Sequence, residues 1–320
     1  MPHSHHSHSG QFCKHASGTS LEAVVQAAIQ RGFEVYGLTE HVPRYRVDDL
    51  YPEEEGMSLA DLLAQFQSFL TEAHRLKVAY ASRITLLVGL ETEYITAIDL
   101  DMLEALLEDH RGRIEYIVGS VHHVNEIPID FDRLTFEKAL HTTTNGDGPQ
   151  VSAVQMDRFL SAYFDAQRKL LERFQPEIIG HLDLCRLYNP TLKFRNYPEA
   201  WKKLEENIQC AIKYGALFEV NAAALRKGWE SAYPGPDILP LILQNRGRLA
   251  LSDDSHGPQA VGNHYPQMAA YLRHMGVEEL WYLIPSDVQN TAGRYLTAAR
   301  IPGNWWEHPF WKESSLPDQC

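Results

Sequence analysis

The sequence predicts an α/β fold of parallel βα units, and three observations point to it. Short apolar stretches of strand length each follow a segment with helical spacing, seven or eight times along the chain. No Gly/Ser linker or abrupt change of composition divides the 320 residues. Finally, nearly every expected strand ends in a histidine or carboxylate, as expected where parallel strands converge on one face. A barrel is favoured over a doubly wound sheet, since α/β barrels routinely occupy this length as one unit.

In order, "SLEAVVQAAIQRGF" has apolar residues at helical spacing with Ser20 as N-cap, and "EVYGLTEH" (34–41) reads as a buried strand. A long amphipathic helix over 58–81 precedes the strand "ITLLVGLETEYI" (84–95). A helix over 100–110 precedes "IEYIVGSVHHV" (114–124). The alternation continues with a helix over 154–174, the strand "EIIGHLDL" (177–184), a helix over 198–215 and the strand "ALFEVNAAAL" (216–225). "DILPLILQNRG" pairs with "RLALSDDSHG", and "QMAAYLRHMG" with "ELWYLIP" (279–285), as the last units. Residues 42–56, 141–150 and 301–320 read as irregular, the last an aromatic segment expected to pack on a single domain spanning 1–320.

Composition narrows the function. Hydrophobic content of 44% and charged content of 22% are those of a globular protein. No apolar run is long enough to span a bilayer and no signal-peptide core is present, so a cytoplasmic location without membrane association is expected. Cys13, Cys185, Cys210 and Cys320 form no CxxC pair, which suits reduced thiols better than a disulfide frame. A net charge of −13 disfavours nucleic acid as a partner.

The 16 histidines are the one compositional excess. The opening "MPHSHHSHSG" reads either as an affinity tag or as part of a site; serines interrupt the run and ordinary sequence follows directly. Elsewhere His41, Glu91, His122 and His181 each end an expected strand and Asp254 and His256 together end a fifth, and His6 and His8 share one side if "HSH" is a strand. A lone histidine after a strand is more often a hydrogen-bonded loop or core residue than a ligand. Repetition at successive strand ends argues otherwise, because such residues are costly to bury without partners. Imidazoles and carboxylates suit Zn, Mn or Fe, and so many would serve more than one ion.

In this order, "HSH", "CKH", "TEH", "GLE", "SVH", "GHLD" and "SDDSH" resemble the motif series of the polymerase and histidinol phosphatase (PHP) superfamily, most closely its monofunctional histidinol-phosphate phosphatases. The resemblance runs from His6 to about Asn290. It implies a distorted (β/α)7 TIM-like barrel and three divalent ions held by nine residues: His6, His8, His15, His41, Glu91, His122, His181, Asp254 and His256. By the same resemblance, His6, His8, Glu91 and Asp254 hold one ion, Glu91 bridges to a second with His122 and His181, and His15, His41 and His256 hold the third. The step from His8 to His15 is one residue longer than in many relatives. His3, His5 and His123 are competing neighbours.

The reaction so implied is hydrolysis of a phosphate monoester, L-histidinol phosphate, in histidine biosynthesis, with metal-bound hydroxide as nucleophile. Asp254 and His256 are the candidate catalytic residues for protonating the leaving alkoxide. Arg186 and Arg226, in loops at the expected active-site face, are candidates for binding phosphate, with ordinary surface arginines as the alternative. The acidic loop after His41 is a candidate for recognising an ammonium group. Two other functions compete: a PHP-type phosphoesterase acting on nucleotides or nucleic-acid 3′ ends, and a non-catalytic metal-binding protein.

Overall fold

The computed structural model describes residues 1–16, 18–143 and 152–313. The chain opens with strands β1 (His3–Ser4) and β2 (Ser7–His8), then helix α1 (Leu21–Gln30), whose N-terminus Ser20 caps by accepting from the Ala23 amide. β3 (Val35–Leu38), α2 (Leu59–Ala79), β4 (Thr85–Glu91), α3 (Ala97–Asp109) and β5 (Tyr116–Gly119) follow. Next is a small hairpin, β6 (His123–Val124) with β7 (Ile127–Pro128). Helices α4 (Arg133–Thr142) and α5 (Ala153–Phe174) lead to β8 (Ile178–Ile179). The remaining half-barrel is α6 (Pro198–Tyr214), β9 (Leu217–Asn221), the short α7 (Ala223–Arg226), α8 (Leu239–Gln244), β10 (Arg248–Ser252) and β11 (Ser255–His256). α9 (Tyr265–His274), β12 (Trp281–Pro285), β13 (Leu296–Arg300) and α10 (Phe310–Glu313) complete it.

Seven strands form one parallel sheet in the order β1-β3-β4-β5-β8-β9-β10. The sheet curls until its ends meet: the His5 amide donates to the Leu251 carbonyl at 3.2 Å, and β2 pairs with β11 above that point. The result is a nearly closed seven-stranded α/β barrel, as expected. The histidine-rich opening is its first strand, not a tag; residues 3–9 are at most 1% exposed.

One expectation fails. "ELWYLIP" does not add a parallel strand; β12 pairs antiparallel with β13, a strand unread in the sequence. Leu283 and Leu296 from this hairpin join Val35, Leu87, Tyr116, Val118, Ile178, Leu217 and Ala250 in an apolar cluster that fills the lower barrel. Alternation along a strand then dictates what lies above this plug. On β4 one face carries Leu87, Gly89 and Glu91; on β9 it carries Leu217, Glu219 and Asn221. The barrel interior is thus apolar at one end and polar at the other.

The glycines of the middle layer are obligatory. A Cβ on Gly37 would lie 1.9 Å from the Tyr116 hydroxyl and 2.9 Å from His5 Cα, and one on Gly89 would lie 2.6 Å from the Tyr116 ring. Tyr116 therefore crosses the barrel and donates its hydroxyl to the His5 carbonyl at 2.8 Å, where the first strand bends. At the C-terminal end, Trp305 is 2% exposed and donates to the Val277 carbonyl, and Phe310 packs on Phe33 and Tyr265. Residues 314–320, including Cys320, and 144–151 lie outside the described residues.

Candidate metal centre

Glu91, at the top of β4, is the hub of the polar end. Its Oε1 lies 3.1 Å from His6 Nε2, 3.2 Å from His122 Nε2 and 3.1 Å from His181 Nε2. Its Oε2 lies 3.2 Å from His8 Nε2 and 3.0 Å from His41 Nδ1. Asp254 Oδ1 approaches His6 and His8 at 3.8 and 3.7 Å, and His256 Nδ1 at 3.6 Å. His15 joins through ring contacts of 5.3 Å to His41 and 5.2 Å to His256. All nine residues implied by the motif series therefore converge on one end of the barrel.

Such crowding suits cations. His6 and His8 face each other through Nε2 atoms 3.1 Å apart, and His122 and His181 through Nε2 atoms 3.3 Å apart, so a shared proton or a metal ion must lie between each pair to keep the two lone pairs from meeting. The buried Nε2 of His41 lacks a hydrogen bond. Among the described residues, three groups have ligand atoms close enough to hold an ion: His6, His8 and Asp254; Glu91, His122 and His181; and His8, Cys13, His41 and His256. The donor set thus fits divalent metal.

The electrostatics agree. Burial opposes charge on His6, yet Glu91, Asp254 and Glu219 outweigh it and raise its pKa well above that of a free imidazole. Burial also opposes charge on Glu91, but His6, His122 and His41 hold its carboxyl well below the usual range. His41, buried beside His8, is pushed well down.

Three carboxylates unread in the sequence orient the ligands from behind. Glu219 Oε2 lies 3.1 Å from His6 Nδ1, and its Oε1 accepts from the His181 amide at 2.7 Å. Glu93 pairs with His122 Nδ1 and accepts from the Tyr51 hydroxyl at 2.9 Å. Glu40 accepts from the Ser9 amide and hydroxyl at 2.8 and 2.7 Å, with its second oxygen 3.6 Å from His8 Nδ1. Such partners fix the tautomer and ring plane of a ligating histidine. Their signal was a glutamate within an otherwise apolar strand, as in "LFEVN".

The competing histidines have other tasks. His3 Nε2 accepts from the Leu251 amide at 2.8 Å and His5 Nε2 from the Leu283 amide at 3.0 Å. His123 Nδ1 stands back from the cluster, 4.0 Å from Glu93 Oε2.

A cleft of about 380 Å³ opens over the cluster, lined among others by Tyr51, Glu53, Asp130, Arg226 and Lys227. Arg226 donates to the carbonyls of Asp253 and Asp254 at 3.1 and 2.9 Å, holding the turn in which Asp254 has a φ of +48°. Arg186 is a correction. It is 1% exposed, lies between Asp183 and Asp237 (2.5 and 2.7 Å), and does not line the cleft, because the 3-10 turn at Leu184–Arg186 rolls it into the core against Gly235.

Comparison with known proteins places these features in context. The PHP domain family matches residues 4–223. A Schizosaccharomyces pombe protein named "Probable histidinol-phosphatase" is 44% identical over 88% of this chain and 89% of its own. A Saccharomyces cerevisiae histidinol-phosphatase is 30% identical over 97% and 99%. The crystal structure of a Lactococcus lactis histidinol phosphate phosphatase, complexed with zinc, L-histidinol and phosphate, superimposes with a TM-score of 0.57 at 15% identity, covering 88% of this chain and 95% of that one.

Proposed function

Because the chain belongs to the PHP family, we propose that it hydrolyses L-histidinol phosphate to L-histidinol and phosphate, with three divalent ions (Zn, Mn or Fe) held by the nine converging residues. The observation that carries the reading is Glu91, whose two oxygens touch five imidazoles from four segments of the chain. A protein that merely stores metal needs no such bridge under a substrate-sized cleft. The name of the 44% identical relative and the ligands of the Lactococcus structure support the substrate.

His6, His8 and Asp254 would hold one ion, Glu91, His122 and His181 a second, and His15, His41 and His256 the third. When bound, such ions activate water and neutralise charge on the phosphoryl oxygens. Water adds to phosphorus, the ester P–O bond breaks, and the departing alkoxide takes a proton. We assign delivery of that proton to Asp254 or His256, whose side chains are 11% and 28% exposed at the cleft. Arg226, partly buried in the cleft wall, positions the phosphate. Glu53 and Asp130, near the Tyr51–Phe131 ring pair, offer carboxylates to the cationic end of the substrate.

No helix among the described residues is long and apolar enough to cross a membrane, and we place the reaction in the cytoplasm. The test is phosphate release from L-histidinol phosphate, a nucleotide and a 3′-phosphorylated oligonucleotide, before and after chelation. Chelator-sensitive turnover of the first alone is expected. Cleavage of another ester with the first left intact would overturn the substrate, and retained metal with no turnover would overturn the enzyme.

A further inference from the structure

We propose that Cys13 is a fourth protein ligand of the ion held by His15, His41 and His256, so that this one site takes a thiolate besides its imidazoles. The inference rests on the metal centre proposed above. It begins with the turn that follows His8. Glu40 pins Ser9 through both amide and hydroxyl, and the Ser9 carbonyl accepts from the amides of Phe12 and Cys13 at 3.2 and 2.9 Å. The chain is thereby folded back over His8, and Cys13 is brought down onto the cluster.

Its sulfur arrives among ring nitrogens. Cys13 Sγ lies 3.1 Å from His15 Nε2, and it shares a group with His8, His41 and His256 in which all ligand atoms fall within 4.8 Å of one another. With metal–sulfur and metal–nitrogen bonds of about 2.3 and 2.0 Å, tetrahedral ligands lie about 3.5 Å apart, so 3.1 Å is close to the separation a shared ion imposes. Two features of the surroundings ask for that ion. The fully buried ring of His8 lies 4.3 Å from that of His41 and 4.5 Å from that of His256, so imidazoles crowd the sulfur with no apolar side chain between them. His41 Nδ1 meets the Glu91 carboxylate at 3.0 Å, which leaves its buried Nε2 without a hydrogen bond.

A buried cysteine ordinarily serves as a small apolar filler. Buried Cys185 fits that description, and neither it nor half-buried Cys210 belongs to a ligand group among the described residues. Cys13 is 5% exposed yet meets imidazoles. Binding releases the thiol proton to solvent as the metal–sulfur bond forms. A thiolate also biases this site toward Zn, Co or Fe over Mn or Mg, leaving the other two sites with nitrogen and oxygen donors only.

The experiment is cobalt substitution of the metal-free full chain, with absorption spectra and cobalt stoichiometry recorded for the wild type, Cys13→Ser, Cys13→Ala and Cys210→Ser. A sulfur-to-cobalt charge-transfer band is expected in the wild type and Cys210→Ser, absent from both Cys13 variants, with the last cobalt equivalent bound about tenfold or more weakly. A cobalt-loaded wild type without the band, or a band that survives Cys13→Ser, overturns the proposal; absence of the band from the wild type decides even if a variant does not fold. Failure to bind cobalt at all overturns this and the metal centre together. A band present in a protein inert toward histidinol phosphate overturns only the substrate.

Discussion

Glu219 Oε2 meets His6 Nδ1 at 3.1 Å, while the opposite nitrogen of the same ring meets Glu91 at 3.1 Å. The imidazole is therefore gripped at both ends, one for orientation and one for metal. Glu219→Gln keeps the shape and removes the charge. Metal affinity at the site of His6, His8 and Asp254 should fall about 10–100-fold, read by titration against a competing chelator. Unchanged affinity in a folded variant would mean that the contact does not tune the ligand.

The two arginines should separate cleanly. Arg226→Ala is expected to raise KM for a phosphomonoester about tenfold or more, the worth of one charge-assisted hydrogen bond, with metal content intact. Arg186→Ala should leave KM unmoved and instead destabilise the protein by about 3–5 kcal/mol, because it strands Asp183 and Asp237 in the interior. Steady-state kinetics beside urea unfolding distinguishes them, and exchanged phenotypes would reverse the assignment.

Gly37→Ala drives a methyl into the Tyr116 hydroxyl and the bend at His5. A loss of about 1–3 kcal/mol or more is expected from overpacking. Tyr116→Phe, which only deletes the bond to the His5 carbonyl, should cost about 1 kcal/mol. Combining the two should recover part of the loss from Gly37→Ala, and thermal melts that show strict additivity would count against a shared contact.

His3 gives stability a pH dependence. Burial is the main cause that pushes its pKa down to about 3, against 6.5 for the exposed group, with the Met1 carbonyl opposing the shift. Between those values the unfolded chain binds the extra proton, so stability rises with pH and is lost as pH falls from about 6.5 toward 3. Unfolding titrations should show a shallower acid slope for His3→Asn than for the wild type. Parallel slopes would show that His3 is not a source of the acid sensitivity.

Most of the barrel was legible because each strand of the seven-stranded sheet after the first is preceded by a helix, often one with a clear apolar stripe, as in α2 and α5. The ligands were legible because alternation carries Glu91 to the top of the same face as Leu87. What periodicity cannot say is which strand a strand meets. "ELWYLIP" reads the same whether it pairs in parallel or folds against Leu296–Arg300 beneath the barrel. Nor does spacing reveal rotation about a turn. Five residues after His181 places Arg186 in the right loop, but only the 3-10 geometry shows that its side chain points inward. Cys13 was invisible for the same reason, since the turn that returns it to His8 is fixed by Glu40, far along the chain.

The closure of the barrel orders events during synthesis. Residues 3–8 leave the ribosome long before their partners on one side, Leu251 to Gly257. Until those emerge, the opening strand has only β3 to pair with, and the cluster lacks Asp254 and His256. The centre is therefore completed late, by a contact of very long sequence separation that is slow to form. A nascent chain arrested before Asp254 should hold a gapped sheet with an unsatisfied edge, a form that invites aggregation and gives chaperones their substrate.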